Sequence, residues 1–463
     1  MEYYLGIDIG ASSGRHILAS IEDGRMKLEE IYRFYNGNDS VDGHLVWDVD
    51  RLYKEIIAGI KKCKEIGKIP VSMGIDTWAV DYVLLDNEGN VLGLVYGYRD
   101  HRTDGVDQEV YKIISQDKLY ARTGIQKQIF NTIYQLMAHK IQEPGKLEAA
   151  ADLLMIPDYF NYKLTGVKKQ EYTNASTTQL VDASTNDWDY DLIDLLGFPR
   201  DIFKTIEKPG SVVGNFTEEV AAEVGFDCKV IMPATHDTGS AVMAVPSVTD
   251  DTLYISSGTW SLMGTELKRA NCSADAMARN FTNEGGYDYR YRFLKNIMGL
   301  WMIQSVRKEL APDMDFGTIS DNASRETIES IVDANDERFL SPANMTAEIQ
   351  AACRESGQTV PEGINEVAAV IYNSLAQCYA KTVTEIEDVT GVKYDRIHIV
   401  GGGANADYLN RITAEATGKE VLAGPTEATA IGNLMSQMIT SGRFVNLMDA
   451  RRCVMDSFEI KRY

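Results

Sequence analysis

The chain has 463 residues, with 46 basic and 68 acidic side chains and a formal net charge of −22. This length exceeds what one hydrophobic core normally spans, so at least two large domains are expected. The acidic balance argues against a nucleic-acid or anionic-membrane partner, because both require a basic surface. Hydrophobic residues at 44% and charged residues at 25% are typical of a soluble globular protein.

The six cysteines are scattered along the sequence and form no Cys-x-x-Cys or Cys/His cluster. This pattern argues against a zinc site and is typical of a protein from a reducing compartment. The N-terminal residues lack the basic segment of a signal peptide, and no apolar run approaches the ~18 residues of a membrane span. The sequence therefore predicts a cytoplasmic protein without a membrane partner.

Residues 3–21 predict two strands around a turn of small residues. The turn and the residue after it are Gly10, Ala11, Ser12, Ser13, Gly14 and Arg15. Small side chains leave backbone N–H groups free to bind an anion, and the arginine adds a permanent positive charge. Asp8, late in the first strand, faces the turn and could bind Mg²⁺ through water. The alternative is an ordinary hairpin, but the acidic residue beside the turn favours a phosphate site.

A helix is predicted from residue 50 to residue 67, with Asp50 as its N-cap. Residues 72–86 then predict two strands separated by a polar kink that contains Asp76, Trp78 and Asp81. Two carboxylates at strand ends could bind sugar hydroxyls, with the indole as an apolar wall, and a solvated loop is an equal alternative. Residues 106–143 are predicted to be mainly helical with a break near Gly124, and residues 153–166 to form a strand end and a short helix.

A carboxylate lies on a strand-to-helix turn just past the middle of the chain. Residues 229–232 form a short apolar run, and a helix is predicted to begin at Ala241. Between them, Asp237 stands next to His236 and Thr238. A carboxylate in this setting suits a general base that accepts a proton from a hydroxyl group. The alternative is an acidic side chain that only caps the helix.

The second half of the sequence repeats features of the first. Residues 253–264 again show a strand, a Ser/Gly turn and a strand, which is what a duplicated fold produces. The domain boundary is expected within residues 246–251. Residues 289–294 predict a strand, residues 296–309 a helix that carries Gln304, and residues 365–390 a long helix with an apolar stripe.

Residues 396–400 predict a strand that enters the Gly-rich turn of residues 401–403. This turn matches the dinucleotide pattern G-x-G-x-x-A, but such a site requires an acidic residue after the next strand. That strand, residues 420–423, is followed by Gly424 and Pro425 instead. The turn is therefore interpreted as a flat backbone surface for a nucleoside. The sequence contains no P-loop motif.

Taken in order, these motifs resemble those of the FGGY family of carbohydrate kinases. The segments that carry the resemblance are residues 8–15, 164–166, 235–238, 256–260 and 400–403. The resemblance covers nearly the whole chain and implies an α/β fold of two actin-like ATPase (ribonuclease H-like) domains with a cleft between them. It implies that residues 1–245 form the sugar and phosphate side and residues 246–463 the nucleotide side.

Within the family, residues 74–81, 98–100, 171–175 and 294–301 resemble members that phosphorylate L-rhamnulose. The resemblance implies ATP-dependent formation of L-rhamnulose 1-phosphate in L-rhamnose catabolism, with Mg²⁺ as a cofactor. It implies that Asp237 is the general base. The implied sugar-binding residues are Ala79 (through its backbone), His236, Asp237, Thr238 and Asn296. The implied ATP-binding residues are Ala11, Ser12, Ser13, Gly14, Arg15, Thr259, Gln304 and Gly402, and the metal ligand is Asp8.

Similar members carry glycine where this chain has Ala79, so an added methyl group is expected to narrow the sugar pocket. The nearer alternative is therefore another ketose kinase, such as a fuculokinase or a xylulokinase. An alternative from a different class is a non-catalytic actin-like module that binds a nucleotide. The acidic turn at Asp237 and the polar loops for a sugar argue against that module. The expected partners are a small ketose and ATP.

Overall fold

The computed structural model describes residues 1–249 and 252–463. In this part of the chain the strands are β1 (Tyr3–Ile9), β2 (Ser13–Glu22), β3 (Arg25–Tyr35), β4 (Asp39–Val41), β5 (His44–Val46), β6 (Pro70–Thr77), β7 (Tyr82–Leu85), β8 (Asp152–Met155), β9 (Gln170–Glu171), β10 (Val181–Asp182), β11 (Asp187–Trp188), β12 (Ile206–Glu207), β13 (Val212–Asn215), β14 (Lys229–Ile231), β15 (Leu253–Ser257), β16 (Ser261–Leu267), β17 (Thr282–Gly285), β18 (Tyr291–Ile297), β19 (Arg396–Val400), β20 (Glu420–Ala423) and β21 (Lys461–Arg462).

The α-helices of the described residues are α1 (Val49–Glu65), α2 (Val106–Tyr111), α3 (Gln116–Thr123), α4 (Thr132–Gln142), α5 (Pro144–Glu148), α6 (Ile156–Thr165), α7 (Tyr172–Ser176), α8 (Tyr190–Leu196), α9 (Glu218–Val224), α10 (Asp237–Met243), α11 (Ala274–Ala278), α12 (Trp301–Leu310), α13 (Phe316–Ala323), α14 (Met345–Glu355), α15 (Gly363–Thr390), α16 (Asp407–Thr417), α17 (Ala428–Thr440) and α18 (Leu447–Ser457). Short 3-10 segments are His101–Thr103, Arg200–Ile202, Tyr287–Tyr289, Glu337–Phe339 and Gly402–Asn405.

The chain divides into two compact units. The first consists of Met1–Ala244, Leu267–Phe293 and Thr429–Ser457, and the second of Val245–Glu266, Leu294–Ala428 and Phe458–Tyr463. Asp250 and Asp251, which the sequence places at the domain boundary, lie outside the described residues. The assignment of a sugar side to residues 1–245 and a nucleotide side to residues 246–463 stays a prediction.

The first unit is built on a six-stranded sheet in the order β13-β14-β6-β1-β2-β3. Strands β1, β2 and β3 form an antiparallel meander, whereas β6 runs parallel to β1 and β14 runs parallel to β6. Almost every residue of β1 is buried, which is typical of a central strand covered on both faces. Because β1, β6 and β14 are parallel, their carboxyl ends lie at the same edge of the sheet, together with Asp8, Asp76 and the turn before α10.

The second unit repeats this topology. Its sheet has the strand order β18-β16-β15-β19-β20-β21. Only residues 294–297 of β18 belong to this unit. As in the first unit, a hairpin (β15 and β16) is followed by two parallel neighbours, β19 and then β20. The duplicated α/β fold that the two Ser/Gly hairpins predict is confirmed.

Apolar packing in the first unit forms two clusters. One places Leu5, Ile7 and Ile75 of the sheet against Leu52 and Ile56 of α1, all with exposures of zero. The other lies among β7, β8 and the helices α2, α3, α4 and α8. In the second unit the 28-residue helix α15 buries its apolar stripe and packs on α12, α13 and α16. The long helix predicted at 365–390 is confirmed.

Three predictions about helix starts are wrong. The helix predicted to begin at Ala241 is α10, which begins four residues earlier, at Asp237. The N-cap of α1 is Asp48, whose side chain accepts a hydrogen bond from Arg51 N, whereas Asp50 lies in the first turn. The helix predicted from residue 296 begins at Trp301, because Asn296 still belongs to strand β18. Gly299, with a φ of 61°, separates the strand from the helix, since this backbone conformation is favourable for glycine.

None of the helices among the described residues is both long enough and apolar enough to cross a membrane.

Candidate active site

Asp237 is the first residue of α10, and the N-cap position before it is occupied by His236. Its Oδ1 accepts hydrogen bonds from the backbone N of Thr238 at 2.6 Å and from Thr238 Oγ1 at 3.1 Å. No hydrogen bond from the described residues reaches Oδ2. The side chain is 31% exposed, so this second oxygen is open to a ligand.

Burial within the surrounding protein raises the pKa of Asp237 from 3.8 to about 7, and the negative charge of Asp8 adds to the rise. The two hydrogen bonds from Thr238 and the charge of Arg292 oppose this rise but do not cancel it. A carboxyl group with a pKa near neutrality is suited to accept a proton, because both of its protonation states are then accessible.

His236 belongs to a buried chain of polar groups. Its Nδ1 accepts a hydrogen bond from Arg292 Nη2 at 2.8 Å, and its Nε2 lies 3.4 Å from Asp237 Oδ1. Arg292 is fully buried, and its Nη2 lies 3.0 Å from Glu284 Oε2. Burial, followed by the charge of Arg292, holds the pKa of His236 well below its usual value, so the imidazole is neutral.

A second buried carboxylate, Glu171, holds the turn that carries Asp237. Its Oε2 accepts hydrogen bonds from Thr235 Oγ1 at 2.5 Å and Thr235 N at 3.2 Å. The same side chain caps α7 by accepting from the backbone N of Thr173 at 2.8 Å and of Asn174 at 3.1 Å. Burial raises the pKa of Glu171, while these donors lower it. One carboxylate thus joins α7 to the turn.

Asp8, Asp76 and Asp237 concentrate negative charge at the carboxyl edge of the first sheet. Asp8 and Asp76 are paired in register on β1 and β6, and the backbone N of Thr77 donates to Thr235 O at 2.9 Å. Burial and the charge of Asp8 raise the pKa of Asp76 well above its usual value. Arg15 Nε donates to Asp8 Oδ2 at 2.9 Å and offsets part of the charge.

Among the described residues, no group of three or more His, Cys, Asp or Glu side chains is arranged to hold a metal ion. The donors at this edge are nevertheless carboxylate oxygens, which Mg²⁺ prefers, and Oδ1 of the buried Asp76 has no hydrogen-bond partner within the described part of the chain. The negative potential that raises the pKa of Asp237 would attract a divalent cation. The chemistry of the donor set therefore fits Mg²⁺, with Asp8 as the predicted ligand.

The predicted phosphate turn lies between β1 and β2. It closes with a hydrogen bond from the backbone N of Gly10 to Ser13 O at 2.9 Å, and Ser12 at its tip is exposed. Asn36, which is fully buried, supports it from below, with Nδ2 donating to Gly10 O at 2.8 Å and N donating to Ser12 O at 3.1 Å. A Cβ at Gly14 would meet the ring of Phe34 at 2.1 Å, so packing alone requires this glycine.

The kink after β6 is a tight, buried turn. Asp76 and Asp81 have exposures of zero, so the alternative of a solvated loop is wrong. Ala79 is half-buried, and its carbonyl accepts from the backbone N of Asp81 at 2.9 Å. Val80 has a φ of 66°, which is strained for a β-branched residue. Such strain persists only where the surroundings enforce it, and it is frequent at functional sites.

Asp81 enforces this turn through four donors. Its Oδ2 accepts from Trp47 Nε1 at 2.6 Å, from Trp78 Nε1 at 3.0 Å and from the backbone N of Tyr98 at 3.0 Å. Its Oδ1 accepts from Gln135 Nε2 at 2.9 Å. Burial raises the pKa of Asp81 to about 6 despite these donors.

The second unit contains the remaining predicted site residues. Thr259 is exposed in the turn between β15 and β16, and its carbonyl accepts from Trp301 N at 2.9 Å. Gln304 lies half-buried in α12, and Asn296 lies half-buried in β18. Gly402 is exposed, and no atom of the residues that the structure describes lies within 4 Å of the position its Cβ would take. A side chain at Gly402 would therefore meet open space, and the flat surface for a nucleoside stays a prediction.

A pocket of about 210 Å³ adjoins this Gly-rich turn within the second unit. It is lined by Ala404, Asn405, Ala423, Gly424, Pro425, Thr426, Phe458, Glu459 and Lys461.

Sequence reasoning missed the residues that position the predicted ones. Arg292 and Glu284 come from strands that nothing in the sequence connects to His236, and Asn36 follows β3 at a distance from the turn it supports. Glu171 belongs to the motif of residues 171–175, but its hydrogen-bond partner Thr235 lies 64 positions further along the chain, so the sequence did not reveal the contact. The only available signal was a charged side chain in an apolar strand at Arg292, because such a residue must find a partner when buried.

Two family models together match most of the chain. Residues 3–244 match the N-terminal domain of the FGGY family of carbohydrate kinases, and residues 253–441 match its C-terminal domain. A protein named rhamnulokinase from Halalkalibacterium halodurans is 51% identical over 463 residues, which are 100% of this chain and 99% of that protein. One of the same name from Oceanobacillus iheyensis is 49% identical over 459 residues, 99% of this chain and 97% of that protein.

Among solved structures, a xylulose kinase from Lactobacillus acidophilus matches with a TM-score of 0.80 at 15% identity, over 100% of this chain and 94% of that one. At this identity the likeness shows the fold alone. The two sheets have the same strand order, and each has a Ser/Gly turn after its first strand. They define a two-domain α/β fold like that of the matched kinase structure. The chain belongs to the FGGY family of carbohydrate kinases.

Proposed function

We propose that the protein transfers the γ-phosphoryl group of ATP to L-rhamnulose and so forms L-rhamnulose 1-phosphate and ADP in L-rhamnose catabolism. Membership of the carbohydrate kinase family supports the reaction class, and the names of the relatives support the substrate. The observation that carries the proposal is Asp237, a carboxyl group with a pKa of about 7 and an oxygen open to a ligand.

In the proposed reaction, Asp237 Oδ2 accepts the proton of the C1 hydroxyl group while the sugar oxygen O1 attacks the γ-phosphorus. The new bond joins O1 to phosphorus, the bond from phosphorus to the β,γ-bridging oxygen breaks, and the electron pair leaves with ADP. The transition state is loose, so the protein acts mainly by positioning groups and neutralising charge. The two hydrogen bonds from Thr238 to Oδ1 restrain the carboxylate and support this role.

The sugar is proposed to bind the backbone at Ala79 and the side chains of His236, Thr238 and Asn296. Residues 11–15 are proposed to hold the phosphates of ATP through backbone N–H groups and Arg15. Thr259, Gln304 and Gly402 are proposed to bind the rest of the nucleotide, with the flat surface at Gly402 facing the nucleoside.

Asp8 is proposed to hold Mg²⁺. When bound, this ion would neutralise charge on the phosphate oxygens. A cytoplasmic location is likewise a proposal, supported by six cysteines that form no disulfide.

The experiment that tests the function is a coupled assay of ADP release with L-rhamnulose, L-fuculose and D-xylulose as acceptors. We expect L-rhamnulose to give the highest kcat/KM and phosphorus NMR to show a phosphate ester on C1. A higher kcat/KM for another ketose would overturn the substrate assignment, and ATP hydrolysis that ignores the sugar would overturn the kinase assignment.

Asp237→Asn tests the role of the carboxylate in the same assay. The asparagine keeps the size of the side chain but cannot accept the proton, so we expect turnover to fall by about two to four decades. Binding of sugar and nucleotide, measured by calorimetry, should persist. Turnover within threefold of the unsubstituted protein would refute the assignment of the base.

A further inference from the structure

The two ring nitrogens of His236 face different neighbours. Nδ1 lies 2.8 Å from Arg292 Nη2, and Nε2 lies 3.4 Å from Asp237 Oδ1. A neutral imidazole has one nitrogen that donates and one that accepts, and either nitrogen can carry the proton. The partner of Nδ1 therefore decides what Nε2 offers to a ligand beside Asp237.

Arg292 can only donate, because a guanidinium group has five N–H donors and no acceptor, and it stays charged at every accessible pH. At 2.8 Å, a proton on Nδ1 would point at an N–H of Arg292. Nδ1 must therefore accept, and the single proton of the neutral ring must lie on Nε2. Glu284 Oε2, at 3.0 Å from Nη2, balances the charge of the fully buried arginine.

Glu284 offers the competing arrangement. Its Oε2 lies 3.5 Å from His236 Nδ1 and could accept a proton from that atom. This distance is 0.7 Å longer than the one from Nδ1 to Arg292 Nη2, since the two separations are 3.5 Å and 2.8 Å. The shorter contact, made by a group that cannot accept, outweighs the longer one.

We propose that Arg292 is a positioning residue that holds His236 as the neutral Nε2–H tautomer, which makes Nε2 a hydrogen-bond donor to an oxygen of the bound sugar beside Asp237. The part that concerns the sugar rests on the proposed function. As the C1 hydroxyl group loses its proton to Asp237, negative charge develops on oxygen. A fixed N–H donor beside that oxygen stabilises the charge without reorganisation at the moment of reaction.

The test reads the tautomer directly, by nitrogen NMR of the protein labelled with ¹⁵N-histidine and free of sugar and nucleotide. The chain has six histidines, and loss of one set of signals in His236→Asn assigns His236. We expect a protonated Nε2 and an unprotonated Nδ1 at neutral pH. A protonated Nδ1 would overturn the proposal. The measurement needs no activity, so a failed kinase assay and a wrong tautomer are separate results.

Three variants then identify the cause. Arg292→Met removes the donor, and we expect a mixture of tautomers and a turnover about ten- to hundredfold lower, with an unchanged KM for ATP. Arg292→Lys keeps a cation that can only donate, and it should retain the Nε2–H tautomer. An unchanged tautomer in Arg292→Met would overturn the role of Arg292. If this variant does not fold, Arg292→Lys and the unsubstituted protein still decide, because a protonated Nδ1 in either one contradicts the proposal.

Arg451→Met is the matched control. Arg451 is also fully buried, and it donates to the carbonyl oxygens of Val242 and Met243. We expect this variant to lose stability while the signals of His236 keep the Nε2–H pattern. A changed tautomer in this control would show that any buried arginine has the same effect and would overturn a specific role for Arg292.

Discussion

Asp8 and Asp76 lie opposite each other in register on the parallel strands β1 and β6. Asp76 is fully buried, and its Oδ2 accepts a hydrogen bond from Asn433 Nδ2 at 2.6 Å. The charge of Asp8 raises the pKa of both Asp76 and Asp237, in addition to the larger effect of burial. Three ionised carboxyl groups near one edge of the sheet repel one another, and this repulsion lowers the stability of the folded protein.

The first prediction is that Asp237→Asn makes the protein more stable at pH 8. Between its ordinary pKa of 3.8 and its folded pKa of about 7, Asp237 binds more protons in the folded than in the unfolded protein. The free energy of unfolding therefore falls as pH rises through this window. Asparagine removes the penalty. Because the side chain is 31% exposed, solvent screening reduces the effect, and we expect a gain of about 1–3 kcal/mol.

Urea unfolding of both proteins between pH 4 and pH 8.5 measures this difference. The gain should be small near pH 4, where the carboxyl group is protonated in the folded state, and constant above pH 8. The neighbours of Asp237 titrate in both proteins, so their contributions largely cancel in the difference. A variant that is less stable at pH 8 would contradict the prediction.

The second prediction concerns Glu171, which accepts hydrogen bonds from Thr235 and from the start of α7. Glu171→Gln replaces one acceptor oxygen by a donor that faces other donors. We expect a loss of about 1–3 kcal/mol in stability and a lower kcat, because the turn before Asp237 is no longer held. Steady-state kinetics with both substrates should show kcat falling at least tenfold, with a KM for ATP close to that of the unsubstituted protein.

Asp189→Asn is the control for this variant. Asp189 is also a buried carboxylate that caps a helix, since its Oδ1 accepts from the backbone N of Leu192 at 3.0 Å, and it pairs with Arg122. It should lose stability without the loss in kcat. Equal losses of kcat in the two variants would show that Glu171 acts through general stability only.

The third prediction compares two neighbouring glycines. A methyl group at Gly402 would meet no atom of residues 1–249 and 252–463 within 4 Å, whereas one at Gly403 would lie 1.9 Å from Ser257 Oγ. Gly402→Ala should therefore keep its stability within about 0.5 kcal/mol but bind ATP more weakly, because the methyl group occupies the surface proposed for the nucleotide. Gly403→Ala should lose about 1–3 kcal/mol through overpacking.

Thermal unfolding and the KM for ATP of both variants are the measurements. We expect the KM for ATP to rise at least fivefold in Gly402→Ala, with the KM for the ketose unchanged. An unchanged affinity for ATP in Gly402→Ala would argue against a nucleotide at this turn.

The fourth prediction concerns the turn at Ala79. Trp47 Nε1 donates to Asp81 Oδ2, and the rings of Trp47 and Trp78 have centroids 4.0 Å apart. Trp47→Phe removes this donor from a buried carboxylate, which we expect to cost about 1–3 kcal/mol. The strained turn should then relax, so the KM for the ketose should rise more than the KM for ATP.

Trp188→Phe serves as the comparison. Trp188 is equally buried, but its Nε1 donates to Lys204 O at 2.7 Å. It should lose stability and leave the KM for the ketose as it was. If both variants raise this KM alike, the turn at Ala79 is not held specifically by Trp47.

Much of the fold could be predicted because it depends on local patterns. Small residues at Gly10–Gly14 and at residues 256–260 demand tight turns, and the apolar runs beside them demand strands. The helix predicted from residue 296 shows the limit of such local patterns. Nothing in the residues around Gly299 tells the end of strand β18 from the start of helix α12. The sequence indicated Asp50 as the cap of α1, whereas in the structure the side chain of Asp48 accepts the capping hydrogen bond from Arg51 N.

The candidate site divides in the same way. By itself the sequence determined the family, the two repeated Ser/Gly hairpins and the acidic turn at Asp237, because these depend on residue types at short spacing. Only the tertiary structure decided that Arg292 meets His236, that Glu171 holds Thr235 and that Asp8 raises the pKa of Asp237. These contacts join residues far apart in the chain, and their energies come from burial and charge, which exist only once the strands have packed.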